Sequence, residues 1–147
     1  MFDALCVETV TVSNVKVEEK GRKAIFRNPL NTAHDKIQMD GCVVRNSTAA
    51  DWVVTKTEVG TIIVELKGKD VEHGAQQVEA TARLLKQMEY PVVQLAALIV
   101  STSYPKASST IQKAQQRFFR NFGGPLHVVT RNDSFDFERV LRADGPR

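Results

Sequence analysis

Three charged residues of the types that handle phosphate chemistry lie close together along the chain. Asp51 comes just before one apolar run, and Glu65 and Lys67 come at the end of the next, in TIIVELKGKD (residues 61–70). Because side chains alternate along a β-strand, Glu65 and Lys67 would lie on one face of it. A carboxylate and an amine at the end of a buried strand raise the hypothesis of a catalytic site.

The elements that would position these residues form a predicted β-hairpin. Residues 52–56 and 61–67 are rich in β-formers and flank the turn Thr57–Gly60. If the turn centres near Val59, position 51 lies opposite 67 and position 53 opposite 65. Asp51, Glu65 and Lys67 would then converge on one face, near the rim of the sheet.

Two adjacent carboxylates repel each other unless a cation lies between them. Mg²⁺ is suited to this place, because it takes one or two carboxylates and fills its shell with water and phosphate oxygens. The carbonyl of Leu66 could supply a further oxygen, and Lys67 could assist the attack on a phosphate. The spacing therefore fits metal-assisted cleavage of a phosphodiester. The alternative interpretation is a surface ion pair across the hairpin rim, worth less than about 1 kcal/mol.

The rest of the chain predicts an α/β fold with a mixed central β-sheet flanked by helices. After the hairpin, Asp70 is a suitable N-cap for a helix that ends before Pro91. The segments predicted to follow are a buried strand at 92–100, a helix at 106–121, a strand in LHVVT (126–130) and a short last helix in SFDFERVL (134–141).

The N-terminal segment has the alternation of short strands. Residues 7–27 predict strands with a turn near 19–21, residues 28–35 a loop, and KIQMDGCVV (36–44) a further strand. We expect one domain over 1–147, with a core at about 40–131 and a β-rich extension at about 7–39.

Asp51, thirteen residues and then Glu65-Leu66-Lys67, on a hairpin followed by a helix and a buried strand, resembles the PD-(D/E)xK nuclease superfamily. The resemblance covers roughly residues 40–100. It implies a restriction-endonuclease-like core, as in Holliday-junction resolvases and RecB-type nucleases. It also implies that Asp51, Glu65 and the Leu66 carbonyl bind Mg²⁺ or Mn²⁺ and that Lys67 assists attack. Gln77, in the following helix, is a further catalytic candidate by similarity to the RecB branch.

Charge indicates where nucleic acid could bind. Residues 101–147 carry eight basic and four acidic side chains, whereas residues 1–100 carry twelve and thirteen. A basic C-terminal third permits contact with a phosphate backbone, although charge alone favours the alternative interpretation of a solvated surface. The candidate nucleic-acid-binding residues are Lys69, His73, Lys106, Lys113, Arg117 and Arg120.

The leading hypothesis is a metal-dependent endonuclease acting on DNA, in phage defence, repair or recombination. A dimer or a partner subunit could supply specificity. The alternative is a non-cleaving nuclease-fold subunit, which the absence of an N-terminal helix bearing a metal-site glutamate favours. An RNA-cleaving toxin is a third, weaker hypothesis. Cys6 and Cys42 are interpreted as reduced thiols, and with no apolar run long enough to span a bilayer the chain is expected in the cytoplasm.

Overall fold

The computed structural model describes residues 2–66, 69–102, 108–130 and 134–146. These residues contain nine strands and three α-helices after a 3-10 turn at Ala4–Cys6. The elements in chain order are β1 Val7–Val10, β2 Asn14–Glu19, β3 Arg22–Arg27, β4 His34–Gln38, β5 Trp52–Lys56, β6 Gly60–Leu66, α1 Val71–Gln87, β7 Leu95–Val100, α2 Ser108–Phe122, β8 Leu126–Val129, β9 Ser134–Asp136 and α3 Phe137–Val140.

Six of the strands form the main sheet, in the order β1-β4-β5-β6-β7-β8. The pairs β1–β4, β4–β5 and β5–β6 are antiparallel, and the pairs β6–β7 and β7–β8 are parallel. Parallel neighbours need a crossover, and α1 and α2 provide the two that this sheet requires. The prediction of an α/β fold with a mixed sheet and helices is therefore confirmed.

The main sheet is covered on both faces. On one face α1 and α2 form an apolar cluster with residues such as Val53, Ile63 and Ile99. On the other face a second sheet of β2, β3 and β9, together with α3, packs against Ile62, Val64 and neighbouring side chains. Every residue of β6 is buried as a result.

Helix α1 follows the sequence prediction closely. Asp70 is its N-cap and accepts a hydrogen bond from the His73 amide at 2.9 Å. Its apolar residues at helical spacing, among them Val71, Val78 and Leu85, are buried. No helix of the described chain is long and apolar enough to cross a membrane.

The end of the chain differs from the prediction of one short helix at 134–141. Ser134–Asp136 is a strand that pairs parallel to β3, and only Phe137–Val140 is helical. The strand forms because Phe135 reaches the second apolar cluster, where its ring lies 6.2 Å from that of Phe26. Asp136 then caps the helix by accepting from the Glu138 amide.

The prediction of reduced thiols is wrong, because Cys6 and Cys42 form a disulfide. The pairing of β1 with β4 places the residue before β1 beside the turn that follows β4, with 5.7 Å between the two Cα atoms. That distance suits a disulfide. The cytoplasmic location, which was inferred in part from free thiols, loses that support.

Two buried histidines predict how the stability of the fold depends on pH. Burial lowers the pKa of His34 and of His127, although hydrogen bonds to the backbone oppose this. Below the unfolded pKa of about 6.5 the unfolded chain takes up protons that the folded chain refuses, so stability falls as the pH falls.

We therefore expect urea denaturation to give a lower free energy of unfolding at pH 5.5 than at pH 7.5. The change should be smaller in His127→Gln, whose amide can still donate to the Val140 carbonyl as the imidazole does at 2.9 Å. An equal pH dependence in the variant and the wild type would contradict this assignment.

Candidate active site

Glu65 is a carboxylate inside an otherwise apolar strand. It is 2% exposed and is the penultimate residue of β6. Burying a charge is costly unless polar partners surround it. The structure supplies such partners at this end of the strand, where the hairpin ladder ends.

Asp51 lies next to Glu65, immediately before β5. The last ladder pair is Trp52 with Val64, so the register continued by one pair sets Asp51 opposite Glu65. The Asp51 amide donates to Glu65 Oε1 at 3.1 Å, and the Leu66 amide donates to Asp51 Oδ2 at 2.9 Å. Each carboxylate thus accepts a hydrogen bond from a backbone amide of the opposite strand end, Glu65 from Asp51 and Asp51 from Leu66.

The observed register differs from the predicted one by two residues. Trp52 pairs with Val64 and Val53 with Ile63, whereas the prediction set 53 opposite 65. The loop has only three residues, and its middle residue, Glu58, has a left-handed φ of 66°. A shift of two preserves the face of every side chain, so Asp51 and Glu65 still converge.

The surroundings of Asp51 are acidic. Burial raises the pKa of the Asp51 carboxyl, and the charges of Glu19 and Asp40 raise it further, whereas hydrogen bonds with the Leu66 amide and the Glu65 side chain lower it. Sequence patterns did not point to Glu19 or Asp40, because each comes near Asp51 only through tertiary pairing. A divalent cation would relieve this repulsion.

The donor set suits a hard cation that keeps several waters. Asp51, Glu65 and the Leu66 carbonyl could hold Mg²⁺ or Mn²⁺, which need only one or two protein carboxylates. Among the described residues, no group of three or more His, Cys, Asp or Glu side chains is placed to hold a metal ion. The remaining positions would therefore be taken by water or by substrate oxygens.

Helix α1 packs directly on this site. An added Cβ at Gly74 would lie 3.6 Å from Glu65 Cγ and 3.5 Å from Ile99 Cγ2, which are ordinary van der Waals distances, so this turn of the helix lies directly against Glu65. Further along the helix, Gln77 Nε2 donates to the Ala49 carbonyl at 3.2 Å, and Thr81 Oγ1 accepts from the Ala50 amide at 2.8 Å. Gln77 thus contacts the segment leading into Asp51. No sequence pattern pointed to Thr81, because its hydroxyl meets the Ala50 amide only in the folded chain.

The remaining predicted residues are distributed unevenly. Lys67 and Lys106 lie outside the described residues. Lys69 and His73 are exposed at the start of α1, at the edge of the sheet where β6 ends. A cavity of about 320 Å³ opens beside them between the first turns of α1 and α2, and Lys69, Asp70 and Thr110 are among its lining residues.

The three cations of α2 do not form one surface at the site. Arg117 Nε bonds to Glu79 Oε1 at 2.7 Å and so joins α2 to α1. Lys113 and Arg120 are exposed. Since α2 runs back from the carboxyl edge of the sheet at 1.5 Å per residue, Arg120 lies about 18 Å along the helix from Ser108, towards the opposite edge.

Comparisons with protein-family models, with curated proteins and with solved structures find no match to this chain. The nuclease resemblance therefore stays a prediction that rests on the residues of the chain itself.

The ion pair between α1 and α2 predicts that Arg117 acts mainly on stability. The Glu79 side chain is 9% exposed and that of Arg117 is 40% exposed, so the pair lies between the buried and the surface cases. We expect Arg117→Ala to lower the free energy of unfolding by about 2 kcal/mol, because a nearly buried carboxylate loses its partner.

Chemical denaturation of Arg117→Ala, with Arg120→Ala as the matched exposed control, measures this effect. The control should change stability by less than about 0.5 kcal/mol. Equal effects of the two substitutions would show that the pair with Glu79 adds nothing.

Proposed function

We propose that this chain is a metal-dependent phosphodiesterase that cleaves DNA, with Asp51 and Glu65 as the metal ligands. The observation that carries the proposal is the reciprocal bonding of these two buried carboxylates at the end of β6. Carboxylates buried only for stability are uncommon, because apolar residues of the same size avoid the cost of desolvation. Their meeting at one strand end therefore favours a functional role.

The order of the elements also supports a restriction-endonuclease-like core. β4, β5 and β6 form an antiparallel meander, α1 follows, and β7 returns parallel to β6. In sheets with parallel strands, ligands bind outside the carboxyl ends of those strands. Asp51 and Glu65 are at that edge. The cavity between α1 and α2 is lined by Lys69 and Asp70, which follow β6 in the chain, and not by the two carboxylates.

In this proposal the residues of the chain divide the chemistry between them. Asp51 and Glu65 orient the cation, and the acidic surroundings of Asp51 favour its binding. A bound Mg²⁺ or Mn²⁺ supplies a more acidic water ligand and positive charge beside the phosphate oxygens. Lys67 retains the role of assisting attack on the evidence of the sequence alone.

The surface residues and the biological setting complete the proposal. Lys69, His73 and Lys113 would contact the phosphate backbone, and a second copy or a partner subunit would supply specificity. The setting would be phage defence, repair or recombination, with DNA met in the cytoplasm.

We expect Glu65→Gln and Asp51→Asn to abolish metal-dependent cleavage while the fold persists. Each amide side chain keeps an oxygen that can accept the backbone hydrogen bond seen in the wild type. Loss of several kcal/mol of charge stabilisation corresponds to about a hundredfold or greater loss of rate. Asp35→Asn is the matched control, because the Asp35 carboxylate on β4 likewise accepts a hydrogen bond, from the Thr9 hydroxyl on β1.

The assay should offer supercoiled, linear, single-stranded and branched DNA and also RNA, each with Mg²⁺, Mn²⁺ or EDTA. Cleavage that survives in both site variants would overturn the site assignment. Cleavage of RNA alone would move the substrate class from DNA to RNA.

A non-cleaving nucleic-acid-binding or interaction subunit is the second candidate. The observation in its favour is that the described residues hold no group of three metal-ligating side chains. It predicts DNA binding that does not require Mg²⁺, and no cleavage of any substrate by folded protein.

Phosphate contact by α2 makes a separate prediction, which tests binding under either candidate. Lys113→Ala should weaken DNA binding about equally for all sequences and reduce the slope of log affinity against log salt by about 0.9. Fluorescence anisotropy at several salt concentrations measures the slope. An unchanged slope would remove Lys113 from the proposed interface.

A further inference from the structure

The segment that leads into Asp51 is buried beneath α1 without belonging to a strand. Ala49 is 2% exposed and Ala50 is fully buried, and both pack in the apolar cluster on the helix side of the sheet. Buried backbone amides and carbonyls need partners. Outside the ladder these partners must come from other parts of the fold.

Two side chains of α1 provide part of them. Gln77 Nε2 donates to the Ala49 carbonyl at 3.2 Å, and the Ala50 amide donates to Thr81 Oγ1 at 2.8 Å. Residues 77 and 81 are one helical turn apart and so lie on one face. The Thr81 side chain is the better placed of the two, because it is 1% exposed and its bond is the shorter.

The turn after β4 holds the same segment from the other side. The Asp40 amide donates to the Ala50 carbonyl at 3.1 Å, and the Met39 amide donates to the Asp51 carbonyl at 2.9 Å. The residue before Asp51 is Ala50, and its N–H has one described hydrogen-bond acceptor, the Thr81 hydroxyl. If that hydroxyl is lost, the amide must shift or remain buried without a partner.

We infer that Thr81 is a positioning residue for Asp51 and hence for the metal site. Threonine is a poor helix former, and valine has nearly the same shape, so the hydroxyl is the property that this position uses. The inference rests on the proposed function, since it concerns the metal that Asp51 and Glu65 would bind. Removing a group that holds a metal ligand in place typically changes metal affinity or activity by about 10–100-fold.

Three substitutions separate positioning from stability. Thr81→Val removes the acceptor and keeps the shape, and Thr81→Ser keeps the acceptor. Thr61→Val removes another fully buried hydroxyl, at the far end of the same hairpin, where it bonds to the Thr55 hydroxyl at 3.0 Å. If Thr81→Val does not fold, Thr81→Ala replaces it, because alanine is the better helix former.

The first readout is the Mn²⁺ dissociation constant, measured by electron paramagnetic resonance. We expect Thr81→Val to raise it about tenfold or more, and Thr81→Ser and Thr61→Val to leave it close to the wild-type value. If the wild type binds Mn²⁺ and Thr81→Val binds it equally well, the inference is overturned. An equal loss in Thr61→Val would also overturn it, since the effect would then be one of general stability.

The second readout needs no metal, so it separates failure of the inference from failure of the proposed function. Amide hydrogen exchange at Asp51 and Leu66 reports the two bonds between the site carboxylates and the backbone. We expect Thr81→Val to accelerate exchange at these two amides. The acceleration there should be about ten times that at the Ile63 amide, in the middle of β6. Uniform acceleration would overturn the positioning role, whereas absence of Mn²⁺ binding by the wild type would overturn the proposed function alone.

Discussion

The reciprocal hydrogen bonding of Asp51 and Glu65 constrains the rest of this fold more than any other interaction in it. Two carboxylates are held out of water, and each accepts a backbone amide from beside the other. Such an arrangement requires amides that the ladder does not use, and the end of a ladder supplies them. The site must therefore lie at the end of the β5–β6 hairpin, where the amides of Asp51 and Leu66 have left the regular pairing.

Helix α1 follows from this requirement. A carboxylate at the end of a fully buried strand needs a cover that is close and small. Gly74 is the residue of the helix that lies against Glu65, and the small side chains of Ala49 and Ala50 allow the segment before Asp51 to pass beneath the helix. Gln77 and Thr81 then satisfy the backbone groups that this close packing removes from water. One helix face thus combines apolar packing with the polar contacts that locate the site.

Much of this arrangement could be predicted from the sequence, because its signals are local. The hairpin and α1 follow from turn residues, strand periodicity and the Asp70 cap, and the even register error left Asp51 and Glu65 on one face. The error itself arose because Glu58 adopts a left-handed conformation that non-glycine residues seldom use. The Cys6–Cys42 disulfide and the strand Ser134–Asp136 depend on pairing between distant segments, for which a single sequence carries no pattern. The same is true of Glu19 and Asp40, and of the hydroxyl of Thr81.

The acidic site is unfavourable for folding, and the remainder of the molecule must offset that cost. Burial raises the pKa of Asp51, which means that its ionised form destabilises the folded chain. The second sheet covers the face of the main sheet that is opposite α1 and α2, and it buries Phe26, Phe135 and Phe137. That apolar layer adds stability, although the same sheet also carries Glu19, at the end of β2, whose charge raises the pKa of Asp51. A fold that is packed in this way on the opposite face can keep Asp51 and Glu65 buried at the end of a strand.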